Sequence, residues 1–330
     1  MVESTALVTG ANGFIGQALT YQLLQDGYKV IGQVRSTEKG KQLSALVDDT
    51  SFSYVVVPTL EQKGAFDKVL EENHQIETIF HIASPVTKFK DDIESKMLIP
   101  AIEGTKNILK SITDKAPQLK HFVYTSSSIA QLNYGADAIA DEDSWSDITY
   151  EESKVNGFTG YAGSKKFAEK EVWKFRNEQK PSFTITTILP SLVFGPQAYE
   201  GSIFHLTSSA SVFESAIKSK TKEEMEAALA FPYVIDIRDV VKAHIFAAEN
   251  EQADGKRLSL SNGVVNADTI LKILNDNFPE KTTLKANDPA KPAPINLFNS
   301  QRTQALLGPF ISPEKTVIDT IEQLIKNKRF

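Results

Sequence analysis

Ala6-Leu7-Val8-Thr9-Gly10-Ala11-Asn12-Gly13-Phe14-Ile15-Gly16 is the most informative stretch of this sequence. An unbroken apolar run, Ala6-Leu7-Val8, leads into glycines at positions 10, 13 and 16. Phe14, Ile15, Ala18, Leu19, Leu23 and Leu24 then recur at helical spacing, and Gly27 stands where a helix-ending glycine belongs. The stretch reads as a buried strand, a glycine turn and an amphipathic helix. In such a unit Gly10 permits the tight turn, Gly13 lets a pyrophosphate approach the backbone, and Gly16 lets helix and strand pack closely. The amides of Asn12, Phe14 and Ile15 and the partial positive charge of the helix N-terminus would face the phosphates. The spacing is three and three, not the two and three of the commonest dinucleotide fingerprint. The reading therefore rests on the strand before the glycines and the helix after them.

The same alternation continues outward. Strands are expected at 28–34, 52–57, 78–83, 120–126 and 183–189. Helices are expected at 37–47, 64–73, 93–112 (broken or kinked near Pro100) and 161–179. Repeated strand–helix units with near-continuous apolar strands imply an α/β fold, a doubly wound parallel sheet of Rossmann type. Ligands of such sheets bind beyond the carboxyl ends of the strands. A chain of 330 residues exceeds one ordinary core, so a second, smaller domain is expected. Residues 1–190 plus about 233–262 read as the dinucleotide domain, with 233–250 a strand and helix returning to the main sheet. Residues 191–232 plus 263–330 read as a substrate-binding domain.

Composition narrows the class. An apolar content of 41% and a charged content of 24% are ordinary for a globular enzyme. A net charge of −6 argues against a nucleic-acid surface. The absence of cysteine excludes disulfides, thiolate metal sites and cysteine nucleophiles. No basic segment precedes an apolar stretch at the start, no window approaches the roughly 18 apolar residues of a membrane span, and Lys326 to Phe330 match no lipidation signal. A cytoplasmic protein, monomeric or homodimeric, with a small-molecule substrate and neither nucleic-acid nor membrane partner, is the expectation. The histidines at 74, 81, 121, 205 and 244 are scattered, so no metal site is expected, and His81 reads as filling the core of its strand.

The end of the second strand bears on the cofactor. An acidic residue about 20 residues past the glycines ordinarily holds the ribose 2′-hydroxyl of NAD. Here the strand ends in Arg35, followed by Ser36 and Lys39. A carboxylate would repel a 2′-phosphate, whereas a guanidinium binds it through charge-assisted hydrogen bonds. The expected cofactor is NADPH.

Hydride reduction of a carbonyl needs a proton donor for the developing alkoxide. A tyrosine serves if a nearby cation lowers its pKa, and a lysine four residues on lies on the same helical face. The chain contains Tyr-x-x-x-Lys twice, at Tyr150/Lys154 and Tyr161/Lys165. Tyr161 opens an amphipathic helix carrying Phe167, Ala168, Val172, Trp173 and Phe175. Tyr150 sits in the acidic run Asp147-Ile148-Thr149-Tyr150-Glu151-Glu152, which stabilises the neutral phenol. The pair expected to act is Tyr161/Lys165. A hydroxyl to hold the carbonyl should come from Thr125-Ser126-Ser127-Ser128 at the end of the fifth strand, with the register left open.

With these residues assembled, the chain resembles the extended short-chain dehydrogenase/reductase superfamily. The glycine turn, Thr125-Ser126-Ser127, Tyr161-x-x-x-Lys165 and Tyr233-Val-Ile-Asp-Ile-Arg-Asp239 appear in order. Within it the likeness is to the dihydroflavonol-4-reductase-like branch, reductases of the methylglyoxal (isovaleraldehyde) type. It is carried by His81-Ile82-Ala83-Ser84-Pro85-Val86, Tyr161-Ala-Gly-Ser-Lys-Lys-Phe-Ala-Glu-Lys170, Val193-Phe194-Gly195-Pro196-Gln197, Asp236-Ile-Arg-Asp-Val-Val-Lys-Ala-His244 and Leu306-Leu307-Gly308. The resemblance implies Ser127 as the catalytic serine, Tyr161 as the acid, and Lys165 as holding the nicotinamide ribose and lowering the tyrosine pKa. It also implies Ala83, Ser84, Pro190 and Val193 as cofactor neighbours, and reduction of aldehydes, ketones and dicarbonyls with NADPH. Two departures stand out. Ala101-Ile102-Glu103-Gly104-Thr105 lacks the Asn that many extended members carry in the fourth helix, and Val57-Pro58-Thr59-Leu60 lacks the acidic residue often found near the adenine.

Phe89, Ser128, Phe194 and Phe204 are the expected substrate-pocket residues, with Tyr199 a further aromatic candidate. Two other readings use the same scaffold: a nucleotide-sugar epimerase or dehydratase with tightly held NAD, which would favour an acid in place of Arg35, and a non-catalytic dinucleotide sensor, which would have no need of Ser127, Tyr161 and Lys165 together.

Overall fold

The computed structural model describes residues 4–84, 91–133, 139–287 and 297–330. Its first half alternates as the apolar pattern implies: β1 Thr5–Thr9, α1 Phe14–Gln25, β2 Lys29–Val34, α2 Thr37–Val47, β3 Phe52–Val56, α3 Asp67–Glu72, β4 Ile76–His81, α4 Ile99–Lys115, β5 His121–Thr125, α5 Gly157–Gln179 and β6 Thr184–Pro190. The remainder comprises β7 Leu192–Phe194, α6 Ser208–Ile217, α7 Lys222–Ala228, β8 Val234–Asp236, α8 Ile237–Glu249, β9 Arg257–Leu260, α9 Ala267–Asn277, α10 Gln301–Leu307 and α11 Pro313–Lys326.

Seven strands form one parallel sheet in the order β3-β2-β1-β4-β5-β6-β9. Both faces are covered, and alternate residues of each strand feed different cores. Ala6 and Val8 pack on one side with Val30, Val34, Phe80, Val123 and Ile188, under α1 and α8. Leu7 and Ile31 pack on the other with Ile79, Phe122, Tyr124 and Ile185, under α3, α4 and α5. A third core gathers Phe194, Phe213, Met225, Ile270, Leu274 and Ile321, around the small β7-β8 sheet and helices α6, α7, α9 and α11.

Three expectations are corrected. The strand within 233–250 does not join the main sheet. It is β8, paired with β7, while α8 after it packs on the main sheet and the seventh main strand is β9. Helix α5 starts at Gly157 rather than Tyr161, because Asn156 Oδ1 accepts the amides of Phe158 (2.9 Å) and Thr159 (3.0 Å) while Thr159 Oγ1 accepts the Asn156 amide (3.1 Å). The break expected near Pro100 is a π-helical turn over Glu94–Leu98, after which Pro100 occupies the first turn of α4, where no intrahelical N–H is required.

Candidate active site

Chain order in the sheet reverses between β1 and β4, so a crevice opens beyond their carboxyl ends. The glycine turn lies at its floor. Gly10 adopts φ +65°, and a Cβ there would meet the Ala83 backbone at 3.1 Å; a Cβ on Gly16 would lie 2.4 Å from the Gly10 carbonyl. A Cβ on Gly13 would meet only the turn's own Gly10 carbonyl, at 3.3 Å, leaving its open side to the crevice. Gly13 caps α1 without any side-chain hydrogen bond, and the first turn holds no acid, which suits an anion at this helix end. Buried Gln33 braces the turn: Oε1 accepts the Gly10 amide at 3.1 Å and Nε2 donates to the Val57 carbonyl at 2.9 Å. Thr9 Oγ1 accepts the amides of Ile82 and Ala83, each at 3.0 Å, so its own proton goes to His81 Nδ1 at 3.0 Å. His81 lies among the rings of Phe66, Phe122 and Tyr124, and burial lowers its pKa to about 3, so it stays neutral.

A single cavity of about 760 Å³ runs along this crevice. At one end it is lined by exposed Arg35, Ser36 and Lys39, at the end of β2 and the start of α2. Among the described residues Arg35 has no ion-pair partner, so its guanidinium is free to meet an anion. Gly10, Asn12, Gly13, Phe14, Ile15 and Gly16 line the middle, with Ala83 and Ser84 opposite. Leu60 also lines the cavity, supplying an apolar surface. At the far end stand Ser127, Tyr161, Lys165, Pro190 and Val193.

The serine register follows from β5. Strand pairing carries through Thr125, and the Ser126 amide still donates to the Ile188 carbonyl at 2.8 Å. Ser126 Oγ donates to Glu169, and Ser128 is fully buried outside the cavity lining. Ser127 Oγ stands 3.4 Å from both the Pro190 carbonyl and the Ile129 amide, and its hydroxyl is near enough to the Tyr161 phenol to lower its pKa. Lys165 is buried, and its Nζ donates to the Thr125 carbonyl at 3.1 Å while standing 6.0 Å from the Tyr161 ring centroid. Ser127, Tyr161 and Lys165 are thus brought together. Tyr150 and Lys154 are not part of this group: Lys154 pairs with Glu94 and Glu151, and Tyr150 packs edge-on against Phe167.

The electrostatics differ from expectation at one point. Burial pushes the Tyr161 phenol up, and the nearby Ser127 hydroxyl draws it only partly back. Lys165 is itself buried, pushed down to about 8 and engaged with the Thr125 carbonyl. Tyr161 therefore holds its proton at neutral pH, the form a donor needs. In α4, Thr105 Oγ1 donates to the Ala101 carbonyl at 2.9 Å.

The expected substrate-pocket residues are not assembled here. Phe194 is fully buried, edge-on to Phe213 at 4.9 Å, because the β7-β8 pairing turns it into the third core. Phe204 is 55% exposed outside the cavity, Ser128 is sealed, Tyr199 packs edge-on against Tyr21, and Phe89 lies outside the described residues. The apolar lining is instead Ile129, Phe158, Leu192 and Phe231, with hydroxyls of Thr207, Ser208 and Ser209. Phe158 was legible, standing three residues before Tyr161 on the same helical face. Phe231 carries no local signal, since only the chain path ahead of β8 brings it across.

The described residues contain no helix long and apolar enough to cross a membrane. Residues 6–261 match the model of the NAD dependent epimerase/dehydratase family. The chain is 39% identical to the putative NADPH-dependent methylglyoxal reductase GRP2 of Candida albicans, covering 98% of this chain and 99% of that protein. It is 34% identical to the NADPH-dependent methylglyoxal reductase GRE2 of Saccharomyces cerevisiae, covering 98% of each. The solved structure of yeast methylglyoxal/isovaleraldehyde reductase Gre2 complexed with NADPH is similar, with a TM-score of 0.89 at 33% identity, covering 99% of this chain and 100% of that one. With the glycine turn at the sheet's switch point and Tyr161-x-x-x-Lys165 facing it, the chain belongs to the epimerase/dehydratase family of extended short-chain dehydrogenases/reductases.

Proposed function

We propose that this protein is an NADPH-dependent carbonyl reductase that converts aldehydes, ketones or α-dicarbonyls to alcohols. The observation that carries the reading is one continuous cavity joining an unpaired arginine to a serine–tyrosine–lysine cluster. Its full-length relatives named as NADPH-dependent reductases support it. An acid in place of Arg35 would favour the tightly held NAD of an epimerase; the guanidinium favours a 2′-phosphate. NADPH, when bound, supplies the hydride. The residues fit it: Arg35, Ser36 and Lys39 would meet the 2′-phosphate, the 10–16 turn the pyrophosphate, Lys165 the nicotinamide ribose, and Pro190 with Val193 the nicotinamide face.

The remaining chemistry belongs to the chain. Ser127 and Tyr161 donate hydrogen bonds to the substrate carbonyl oxygen, polarising it and fixing its position. Charge then develops on that oxygen, and Tyr161 gives up its phenolic proton to it. Lys165, cationic beside the phenol, stabilises the tyrosinate left behind. Ile129, Phe158, Leu192 and Phe231 exclude water and favour apolar substituents. The small region around the third core covers the substrate, and the enzyme acts in the cytoplasm as a monomer or homodimer. A screen of NADPH consumption across aldehydes, α-dicarbonyls and bulky ketones tests this. NADPH binding with no acceleration by any carbonyl compound would favour a dinucleotide sensor, and a cofactor that stays bound through gel filtration would favour the epimerase reading.

A further inference from the structure

Helix α5 carries a second line of buried polar chemistry beyond the proton-transfer group. Glu169 stands one helical turn past Lys165 and is fully buried. Its Oε2 accepts Ser126 Oγ at 2.7 Å; its Oε1 accepts Thr187 Oγ1 at 2.9 Å, Trp173 Nε1 at 3.2 Å and Arg257 Nε at 2.7 Å. Arg257, on β9, is itself tied down: Nη1 donates to the Glu142 and Ser144 carbonyls at 3.0 and 2.6 Å, and the guanidinium lies 3.8 Å from the Trp145 ring centroid. A buried ion pair adds little net stability over apolar residues of the same volume, although removing one partner is costly. What this pair does supply is position, because it joins the end of β5, helix α5, β6 and β9 at the residue preceding Ser127.

We propose that the Glu169–Arg257 pair is a positioning element of the reductase site: the carboxylate pins Ser126, and so the emergence of Ser127, to α5 and supplies the buried counter-charge of Lys165. This rests on the roles of Tyr161 and Lys165 proposed above. The groups near Lys165 are neutral His81 from β4, the Thr125 carbonyl from β5, and Tyr161 and Glu169 from α5; His244 of α8 reaches the Thr125 hydroxyl. Of these only Glu169 is anionic. Burial drives Lys165 toward its neutral form, and Glu169 opposes that.

The test reads Lys165 directly, by side-chain NMR titration of 15N-lysine protein without cofactor, alongside the pH profile of kcat. Glu169→Gln should lower the Lys165 midpoint by about one pH unit and move the alkaline limb of kcat down with it, while KM for NADPH changes less than threefold. Because Glu169→Gln leaves Arg257 buried and uncompensated, the double variant Glu169→Gln/Arg257→Leu provides a fold-restoring arm with the same expected shift. Arg257→Leu alone should not lower the midpoint. A folded double variant with the wild-type Lys165 midpoint would make the pair a scaffold only and overturn the proposal. A midpoint that moves while the kcat limb stays would overturn the role of Lys165 in turnover, and the proposal with it.

Discussion

Tyr161 is the proposed proton donor, and its burial keeps the phenol protonated at neutral pH. Tyr161→Phe removes the proposed proton donor and should lower kcat by about 100-fold or more, with NADPH affinity changed less than twofold by fluorescence titration. Near-normal turnover would contradict the assignment. Arg35 is the proposed reader of the 2′-phosphate. Its exposed guanidinium, without an ion-pair partner among the described residues, would contribute about 1.5–3 kcal/mol to such a contact. Arg35→Ala should therefore raise KM for NADPH about tenfold or more and leave KM for NADH unchanged. Equal effects on both cofactors would show that the arginine does not read the 2′-phosphate.

At the scale of elements, α5 matters because it holds Tyr161, Lys165 and Glu169 on one face at four-residue spacing. Its N-terminus is set by the Asn156–Thr159 capping box, four residues ahead of the first amphipathic residue the sequence pattern showed. Tyr161 thus sits in the second turn, protected from fraying. Asn156→Ala should cost about 1 kcal/mol, a Tm loss of about 2 °C by calorimetry, and kcat should fall more than KM rises, because the frayed turn carries Phe158 and abuts Tyr161. An unchanged Tm would mean the cap is replaced by solvent. Strand β5 plays the complementary part. Its pairing to β6 through Thr125 decides that Ser127, and not Ser126 or Ser128, reaches the phenol.

At the scale of the molecule, three buried titratable groups shape stability against pH. Burial holds His81 near 3 and His244 near 4, both below the unfolded value of about 6.5. The unfolded chain therefore takes up these protons first, and stability falls as pH drops below about 6.5, by about 1.4 kcal/mol per pH unit for each histidine. Asp239 acts oppositely. Burial raises it to about 6, so the folded state binds its proton first and stability rises as pH falls from about 6 toward 4. Urea unfolding should show a net acid loss of about 1.4 kcal/mol per unit across that window. Asp239→Asn, whose amide oxygen can still accept the Ile311 N–H, should steepen the loss and raise stability at pH 7 by about 2 kcal/mol. Parallel profiles for the two proteins would show that Asp239 is ordinary.

The sequence by itself determined the parallel α/β sheet, the glycine turn, the basic residue at the end of β2 and which Tyr-x-x-x-Lys pair lines the cavity. Each of these is written in a local pattern: an apolar strand, a glycine spacing, a charge at a strand end, a four-residue interval on a helix. Only the tertiary structure decided which serine stands by the phenol, which residues line the cavity and the electrostatic balance. Ser127 is selected by the pairing of β5 with β6, 63 residues away at Pro190. Phe194 is turned into the third core by the pairing of β7 with β8, and Phe231 is brought to the cavity wall, through contacts no local window contains. The direction of the Tyr161 shift depends on how deeply Tyr161 and Lys165 are buried together, and Glu169 gains its partner from β9, 88 residues further on. Short-range periodicity reports which face of an element is apolar; desolvation and long-range pairing exist only once the faces have met.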